Sequence, residues 1–288
     1  MGSFTTVQCV ISSDMPQHAP QPLRSVALAQ YAAWHPFWTN IDVVAETGST
    51  NTDLLAIASE GAPEGTVLVT ESQVAGRGRL DRAWTAPPSR GLAVSFLLRP
   101  GAIATAQWGW LPLVTGLGVY DALRGLGIDA ALKWPNDVQA GTDRRKCCGI
   151  LAQAAGATSG TAPAVVIGCG LNVLESADEL PSTGTSVALE LPGVAIDRTD
   201  VLVRLLDGFA RRYSQWYADP GGFELASAYR AACGTIGLDV TVALPGRDTP
   251  MRGVARDVDA EGRLVVETSD GVQAVSAGDV VHVRPAAP

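Results

Sequence analysis

Apolar residues in this chain fall into short runs separated by stretches with helical spacing. Ile41 to Ala45 reads as a strand, and so does 66–71, which opens on the apolar run Thr66 to Thr70. Between them, Thr50 to Glu60 puts Leu54, Leu55, Ile57 and Ala58 on one side, with Ser49 or Thr50 as cap, and reads as a helix. Leu23 to Trp38 has a weaker helical pattern. Gly91 to Arg99 is a further strand. Gln107 to Leu126 reads as a long amphipathic helix with Trp108, Leu111, Val114, Leu117 and Leu123 in the core. Ala130 to Trp134 is a strand stopped by Pro135, which has no N–H for a ladder. Val138 to Ala140 and Cys148 to Ala154 flank Gly141-Thr142-Asp143, as in a hairpin. Gly156 to Pro163 has loop composition, and Ala164 to Gly168 is a strand. Asp200 to Tyr217 and Phe223 to Ala232 read as helices. After Gly234 the pattern changes to short strands parted by Gly and Asp, at 238–244, 251–258, 263–268, 272–276 and 279–284. That spacing suggests a small barrel of about fifty residues. The pattern divides the chain into an N-terminal extension and helix (1–40), a main α+β domain (41–233) and a barrel (234–288).

Composition narrows the function. The 288 residues are 47% hydrophobic, enough for a sizeable core. A formal net charge of -8 argues against general affinity for nucleic acid. Cysteines at 9, 147, 148, 169 and 233 are odd in number and match no zinc or disulfide spacing, as for reduced thiols in the cytoplasm. His18, His35 and His282 are far apart, which disfavours a histidine metal site or a Ser-His-Asp triad. No apolar stretch reaches membrane-spanning length, and the first residues lack the basic-then-apolar order of a secretory signal. Lysine occurs only at 133 and 146, against many arginines. A GC-rich codon preference explains the bias, yet both lysines fall in one short stretch.

Five segments carry groups suited to one chemistry. Gln73 leads into Gly76-Arg77-Gly78-Arg79-Leu80-Asp81-Arg82-Ala83-Trp84. There glycine allows close backbone approach, arginine forks fit carboxylate and phosphate, and a tryptophan can stack on a flat ring. The alternative is a solvated basic turn. Glu46-Thr47-Gly48-Ser49-Thr50-Asn51 joins a strand to a helix, and reads either as a polar head-group site or as an ordinary cap. Lys133-Trp134-Pro135-Asn136-Asp137 collects a cation, an amide and a carboxylate round a rigid turn, or is a polar turn over a buried Trp. In Lys146-Cys147-Cys148-Gly149-Ile150-Leu151 the lysine is a functional ammonium or a strand-edge gatekeeper. Gly168-Cys169-Gly170-Leu171-Asn172-Val173 fails the G-x-G-x-x-G pattern at its last position, which makes a dinucleotide site a poor fit.

Together, in this order and spacing, these segments resemble the biotin–protein ligase family over roughly residues 41 to 285. The most specific parts are the G-R-G-R-x-x-R-x-W run and Lys-Trp-Pro-Asn-Asp. Leu80-Asp81 replaces a commonly basic or small pair, and Cys147, Cys148 and Cys169 replace small apolar residues. The resemblance implies a mixed sheet with packed helices, as in class II synthetases, followed by an SH3-like β-barrel. It implies that biotin and MgATP form biotinyl-5′-AMP and that biotin then passes to a lysine of a biotin carboxyl carrier domain, with no tightly bound cofactor. Lys146, Arg77 and Arg79 are the implied catalytic groups. Ser49, Thr50, Asn51, Gln73, Gly76, Gly78, Gly149, Gly168 and Gly170, with those three, are implied for biotin. Arg82, Trp84, Lys133, Asn136 and Asn172, with Arg79 and Lys146, are implied for ATP, and Asp137 for Mg²⁺. Family members that repress transcription carry an N-terminal helix-turn-helix; about forty residues before the first strand are too few for one. The expected protein is a cytoplasmic monomer or weak homodimer without nucleic-acid or membrane partners. A lipoate or octanoate transferase of the same superfold fits the arginine loop less well. A non-catalytic adenylate sensor should have lost a key cation, and none is lost.

Overall fold

The structure is a computed structural model that describes residues 20–155, 163–244, 249–276 and 279–282. Cys9, His18 and nearly all of the expected 156–163 loop lie outside the described residues. The described residues form a seven-stranded mixed sheet and a separate five-stranded antiparallel sheet. The large sheet contains β1 (Asn40–Thr47), β2 (Thr66–Gln73), β3 (Leu92–Leu98), β4 (Ala130–Lys133), β5 (Asp137–Ala140), β6 (Arg145–Ala155) and β7 (Ala164–Leu171), in the order β1-β2-β3-β7-β6-β5-β4. β1 and β2 run parallel, so a crossover must join them, and helix α2 (Thr50–Ser59) supplies it. The remaining neighbours are antiparallel.

Strand alternation sorts the side chains onto two faces. Val67 and Val69 of β2, Val94 and Phe96 of β3, and Ile167 and Cys169 of β7 enter the main core. That face is covered by α1 (Ser25–Trp34), α3 (Leu111–Gly125), α5 (Arg198–Ala218) and α6 (Phe223–Ala232), with α3 packed along α5. Gly118 of α3 and Gly208 of α5 meet backbone to backbone, and a Cβ on either would overlap the other helix. The opposite face receives α2, through Leu54 and Ala58 against Leu97, Ala164 and Val166. Farther along the strands the residues on that face change to Ser95, Gly168 and Leu151, and then to Ala93, Gly170 and Gly149. The floor of the candidate site is this small-residue patch.

The expected helix over 107–126 divides into a 3₁₀ segment, Thr105–Trp110, and α3. Pro112 favours a helix start at this point. Trp110 turns to give its indole N–H to Ala260 O at 2.7 Å, and Gly109 admits the backbone of Glu261. α5 begins at Arg198 because Asp197 caps it, accepting the N–H groups of Thr199 (2.7 Å) and Asp200 (3.2 Å). A four-residue helix, α4 (Val187–Glu190), was not expected; Ser186 caps it.

The small sheet comprises β8 (Asp239–Ala243), β9 (Met251–Val258), β10 (Leu264–Thr268), β11 (Gly271–Val275) and β12 (Asp279–His282), in the order β11-β10-β9-β8-β12. Its Val240, Val242, Ala255, Leu264 and Val266 belong to the same hydrophobic cluster as Trp110, Trp134 and Tyr229. Trp134 N–H donates to Thr235 Oγ1, and the Trp134 indole to Gly262 O at 3.1 Å. The C-terminal sheet is therefore docked on the turn that follows β4, at the edge of the site.

Candidate active site

One row of directly paired residues crosses the sheet: Lys133 with Asp137, Asp137 with Gly149, Gly149 with Gly170, Gly170 with Ala93, and Ala93 with Thr70. Direct partners share a face, so Lys133 and Asp137 stand beside the glycine floor. Simple alternation along β6 would send Lys146, three residues from Gly149, to the opposite face. The β5–β6 register instead shifts by one residue at Cys147. This bulge leaves Cys147 and Cys148 both buried in the core and returns Lys146 to the face of Gly149. Lys146 Nζ then meets Asp137 Oδ1 at 2.7 Å and lies 5.4 Å from the Trp84 ring centroid.

The arginine loop is folded back over this floor as a small antiparallel turn. Arg77 bridges Ala83, Gly78 N–H donates to Arg82 O at 2.7 Å, and Trp84 N–H donates to Gly76 O at 2.9 Å. Leu80 at its tip has φ +55° and is exposed, a left-handed backbone that costs a Cβ-bearing residue about 1–2 kcal/mol. Trp84 lies on the sheet. A Cβ at Gly170 would overlap the indole, and one at Gly149 would crowd both Trp84 and Lys146. The resemblance implies Gly149 and Gly170 for biotin; here the space above them holds Trp84 and Lys146. Gly168 likewise admits the Asn51 amide. Gly76 is buried against the Gln73 side chain and does not line the cavity.

At the other end the N-terminus of α2 forms a polar cluster. Ser49 caps the helix. Thr50 donates to Gln73 Oε1 from both its N–H (3.0 Å) and its hydroxyl (3.2 Å). Asn51 Nδ2 donates to Gln153 Oε1 at 2.8 Å and Leu151 O at 3.3 Å. Ser95, fully buried, reaches both Thr50 Oγ1 (2.7 Å) and Asn51 Oδ1 (2.6 Å).

Asn136 and Asn172 line the cavity but direct amide N–H groups at backbone carbonyls. Asn136 Nδ2 donates to Ile150 O at 2.8 Å, and Asn172 Nδ2 to Thr185 O at 2.9 Å and Lys146 O at 3.5 Å. Segment 183–185 grips Lys146 from both sides: Lys146 N–H donates to Thr183 O at 2.8 Å, and Thr185 N–H to Lys146 O at 2.9 Å. Both asparagines thus hold the lysine strand and its neighbour in place.

These groups surround a cavity of about 410 Å³, a size suited to a small organic ligand. Among the described residues, five cationic side chains line it (Arg77, Arg79, Arg82, Lys133 and Lys146), against one carboxylate, Asp137. In a chain of net charge -8 this local excess selects an anion. Both lysines of the chain are in this lining. Burial lowers the Lys133 pKa, Asp137 opposes that, and Lys146 and Arg82 add to it. Burial also lowers that of Arg79, with Asp137 opposing and Arg82 adding. Among the described residues no group of three His, Cys, Asp or Glu side chains is arranged to hold a metal ion. The cavity carboxylate of Asp137 is engaged by Lys146.

Apart from Gly76, every residue expected at the site lines the cavity. Sequence reasoning missed Thr183, Gly184 and the β12 residues Val280 and Val281, which also line it, and Ser95, which lies behind the lining and holds Thr50 and Asn51. A lone hydroxyl inside the apolar run Leu92–Leu98 was the available signal for Ser95. Val280 and Val281 look like ordinary strand residues and gave none.

The biotin/lipoate A/B protein ligase family model matches residues 43–172, and the biotin protein ligase C-terminal domain model matches residues 235–283. The biotin–[acetyl-CoA-carboxylase] ligase of Mycobacterium tuberculosis is 44% identical over 253 residues, covering 86% of this chain and 90% of that protein. The bifunctional ligase/repressor BirA of Escherichia coli is 30% identical over 249 residues, covering 86% of this chain and 75% of that protein. A solved biotin protein ligase from Aquifex aeolicus, in complex with biotin and ATP, superposes with a TM-score of 0.70 at 28% identity, over 86% of this chain and 100% of that one. With the lysine row, the arginine loop and both sheets covered by these matches, the chain belongs to the biotin–protein ligase family.

Proposed function

We propose that this protein activates biotin with MgATP to biotinyl-5′-AMP and transfers biotin to a lysine of a biotin carboxyl carrier domain. The observation that carries the reading is the cavity with five cations and one carboxylate, closed at one end by a neutral polar cluster. Biotin has matching ends: a neutral ureido ring and an anionic carboxylate. Ser49, Thr50 and Asn51 at the N-terminus of α2, with Gln73 at the end of β2, supply donors and acceptors for the ring, and Ser95 holds Thr50 and Asn51 from behind.

In the first step a carboxylate oxygen of biotin bonds to the α-phosphorus of ATP, and the bond to the leaving pyrophosphate breaks. Two anions must meet, so fixed cations at the meeting point lower the barrier. Lys146 is our candidate for that point, held by Asp137 and by segment 183–185. Arg77 and Arg79 close over carboxylate and phosphate. Arg82, Trp84 and Lys133 serve the nucleotide, with Asn136 and Asn172 supporting the wall beside it. Mg²⁺ arrives on ATP as part of the substrate, and Asp137 is a cavity carboxylate that would approach it. In the second step an uncharged carrier lysine attacks the acyl carbon, the bond to AMP breaks, and the amine gives up its proton. Lys146 stabilises the developing oxyanion in that step as well.

The same reading gives an acetyl-CoA carboxylase or pyruvate carboxylase carrier domain as acceptor, a cytoplasmic location, and a monomer or weak homodimer. No helix among the described residues is long and apolar enough to cross a membrane. The test is ATP–pyrophosphate exchange with biotin, with lipoate or with neither. Exchange that requires biotin supports the reading; exchange driven by lipoate, or none at all, defeats it.

A further inference from the structure

The 74–91 loop leaves β2 and returns at β3, carrying all three cavity arginines. Its base is fixed outside the cavity. Glu71, near the end of β2, accepts Ser89 Oγ on one carboxylate oxygen at 2.9 Å and Leu23 N–H on the other at 2.6 Å. Its carbonyl accepts Ser89 N–H at 2.8 Å. Ser89 has φ +57°, a left-handed backbone that a residue with a Cβ keeps only where its surroundings hold it.

Arg198 closes this arrangement. Nη2 donates to Glu71 Oε2 at 2.5 Å and to Gln21 O at 2.8 Å, and Nη1 donates to Gly91 O at 3.2 Å. The Arg198 side chain is 1% exposed. It is also the first residue of α5, where the helix dipole disfavours a cation. Helix formation therefore gives no reason for an arginine there. Its fork does: it reaches three segments at once, the stretch before α1, the end of β2 and the entry to β3. The same loop exit is joined to residues 174–179, which precede the segment that grips Lys146. Arg90 O accepts Leu174 N–H at 3.0 Å, and Arg90 Nε lies 3.6 Å from Glu179.

We propose that the Arg198–Glu71 pair is a clasp that sets how the arginine loop stands over the cavity, and that both are positioning residues for forming and retaining the adenylate. The retention half rests on the ligase reading above. Neither residue lines the cavity, so a change at the clasp alters the approach of the loop without removing a group that faces ligand.

The experiment compares wild type with Glu71→Gln, Arg198→Met and Arg198→Lys in the whole chain, each held well below its own melting temperature. Trypsin cleavage after Arg77, Arg79 and Arg82 reports on the loop without any catalytic assay. The expected result is cleavage about five-fold faster or more in Glu71→Gln and Arg198→Met, and intermediate in Arg198→Lys. Escape of biotinyl-AMP should accelerate in the same order, with KM for biotin raised more than kcat is lowered. A purely structural pair would lower the melting temperature and leave cleavage and escape within about two-fold of wild type; that result overturns the clasp. If Arg198→Met does not fold, Glu71→Gln decides alone, since it keeps the size and the acceptor oxygen. Wild-type protein without biotin-dependent exchange would defeat the ligase reading, and the cleavage rates would still decide the clasp.

Discussion

Lys146 and Asp137 form an ion pair at 2.7 Å across two strands, and they share a face only because β6 carries one extra residue at Cys147. The pair holds a flexible ammonium above Gly149. Lys146→Ala should therefore lower biotin-dependent pyrophosphate exchange by about 10²–10³-fold while thermal unfolding stays near wild type. Lys146→Arg should not restore the rate, because a planar guanidinium is larger and pairs differently. Asp137→Asn keeps the shape and frees the ammonium, and about a tenfold loss is expected. Near wild-type exchange in Lys146→Ala would remove Lys146 from the mechanism.

Gly170 and Trp84 form the second relationship that fixes the site. A methyl at Gly170 overlaps the indole, so Gly170→Ala should displace the loop and cost about 1–3 kcal/mol in packing. Trp84→Ala removes the clash. In the double variant the two losses should fail to add, with a coupling of about 0.5–3 kcal/mol in urea unfolding and a matching coupling in exchange rates. Simple additivity would mean that the indole does not rest on Gly170 in solution.

Arg79 lies within the folded loop and is partly buried. Arg79→Gly removes a charge-assisted contact, worth about 1.5–3 kcal/mol, and loosens the backbone. Adenylate should still form and should then leak from the cavity. A streptavidin blot of added albumin, with no carrier present, should darken for the variant alone. A variant that makes adenylate and retains it as long as wild type would exclude Arg79 from the lid.

Burial alone would raise the Glu71 pKa, but hydrogen bonds from Leu23 N–H, Arg198 and Ser89 outweigh it and hold the carboxyl below its ordinary 4.5. A depressed folded-state pKa adds stability above the unfolded value, and that stability is lost as pH falls through the folded value. The stability gap between wild type and Glu71→Gln should therefore be full at pH 6–7 and close progressively below about pH 4.5. Urea midpoints at matched ionic strength measure it, and a gap that widens in acid would contradict the assigned bonding.

Much of the fold was legible because burial imposes a period. The run Thr66 to Glu71 and the helix over Thr50 to Glu60 fall within a few residues of β2 and α2. The site was legible because its groups are dense in short segments, as in the arginine loop and in Lys133 to Asp137. The bulge at Cys147 was not. Two cysteines are apolar enough to suit either face, so nothing in the run Lys146 to Gly149 announces a break in alternation. Arg198 was equally hidden, since its acceptors lie at residues 21, 71 and 91, and no local pattern joins them. The wall from Val280 and Val281 depends on how the C-terminal sheet docks, which Trp110 and Trp134 govern from far away in sequence.

The placement of lysine has a consequence beyond the cavity. A mixed anhydride acylates any uncharged amine it meets, and the chain makes such a reagent only a few ångströms from its own surface. Its two lysines both sit in the cavity lining, one paired to Asp137. Every other basic side chain except three histidines is arginine, whose guanidinium stays protonated and does not attack an acyl carbon. A molecule of adenylate that strays across the outside of this protein therefore meets no lysine to label. Whatever codon bias made arginine common here, the result is a catalyst with little lysine chemistry to turn against itself.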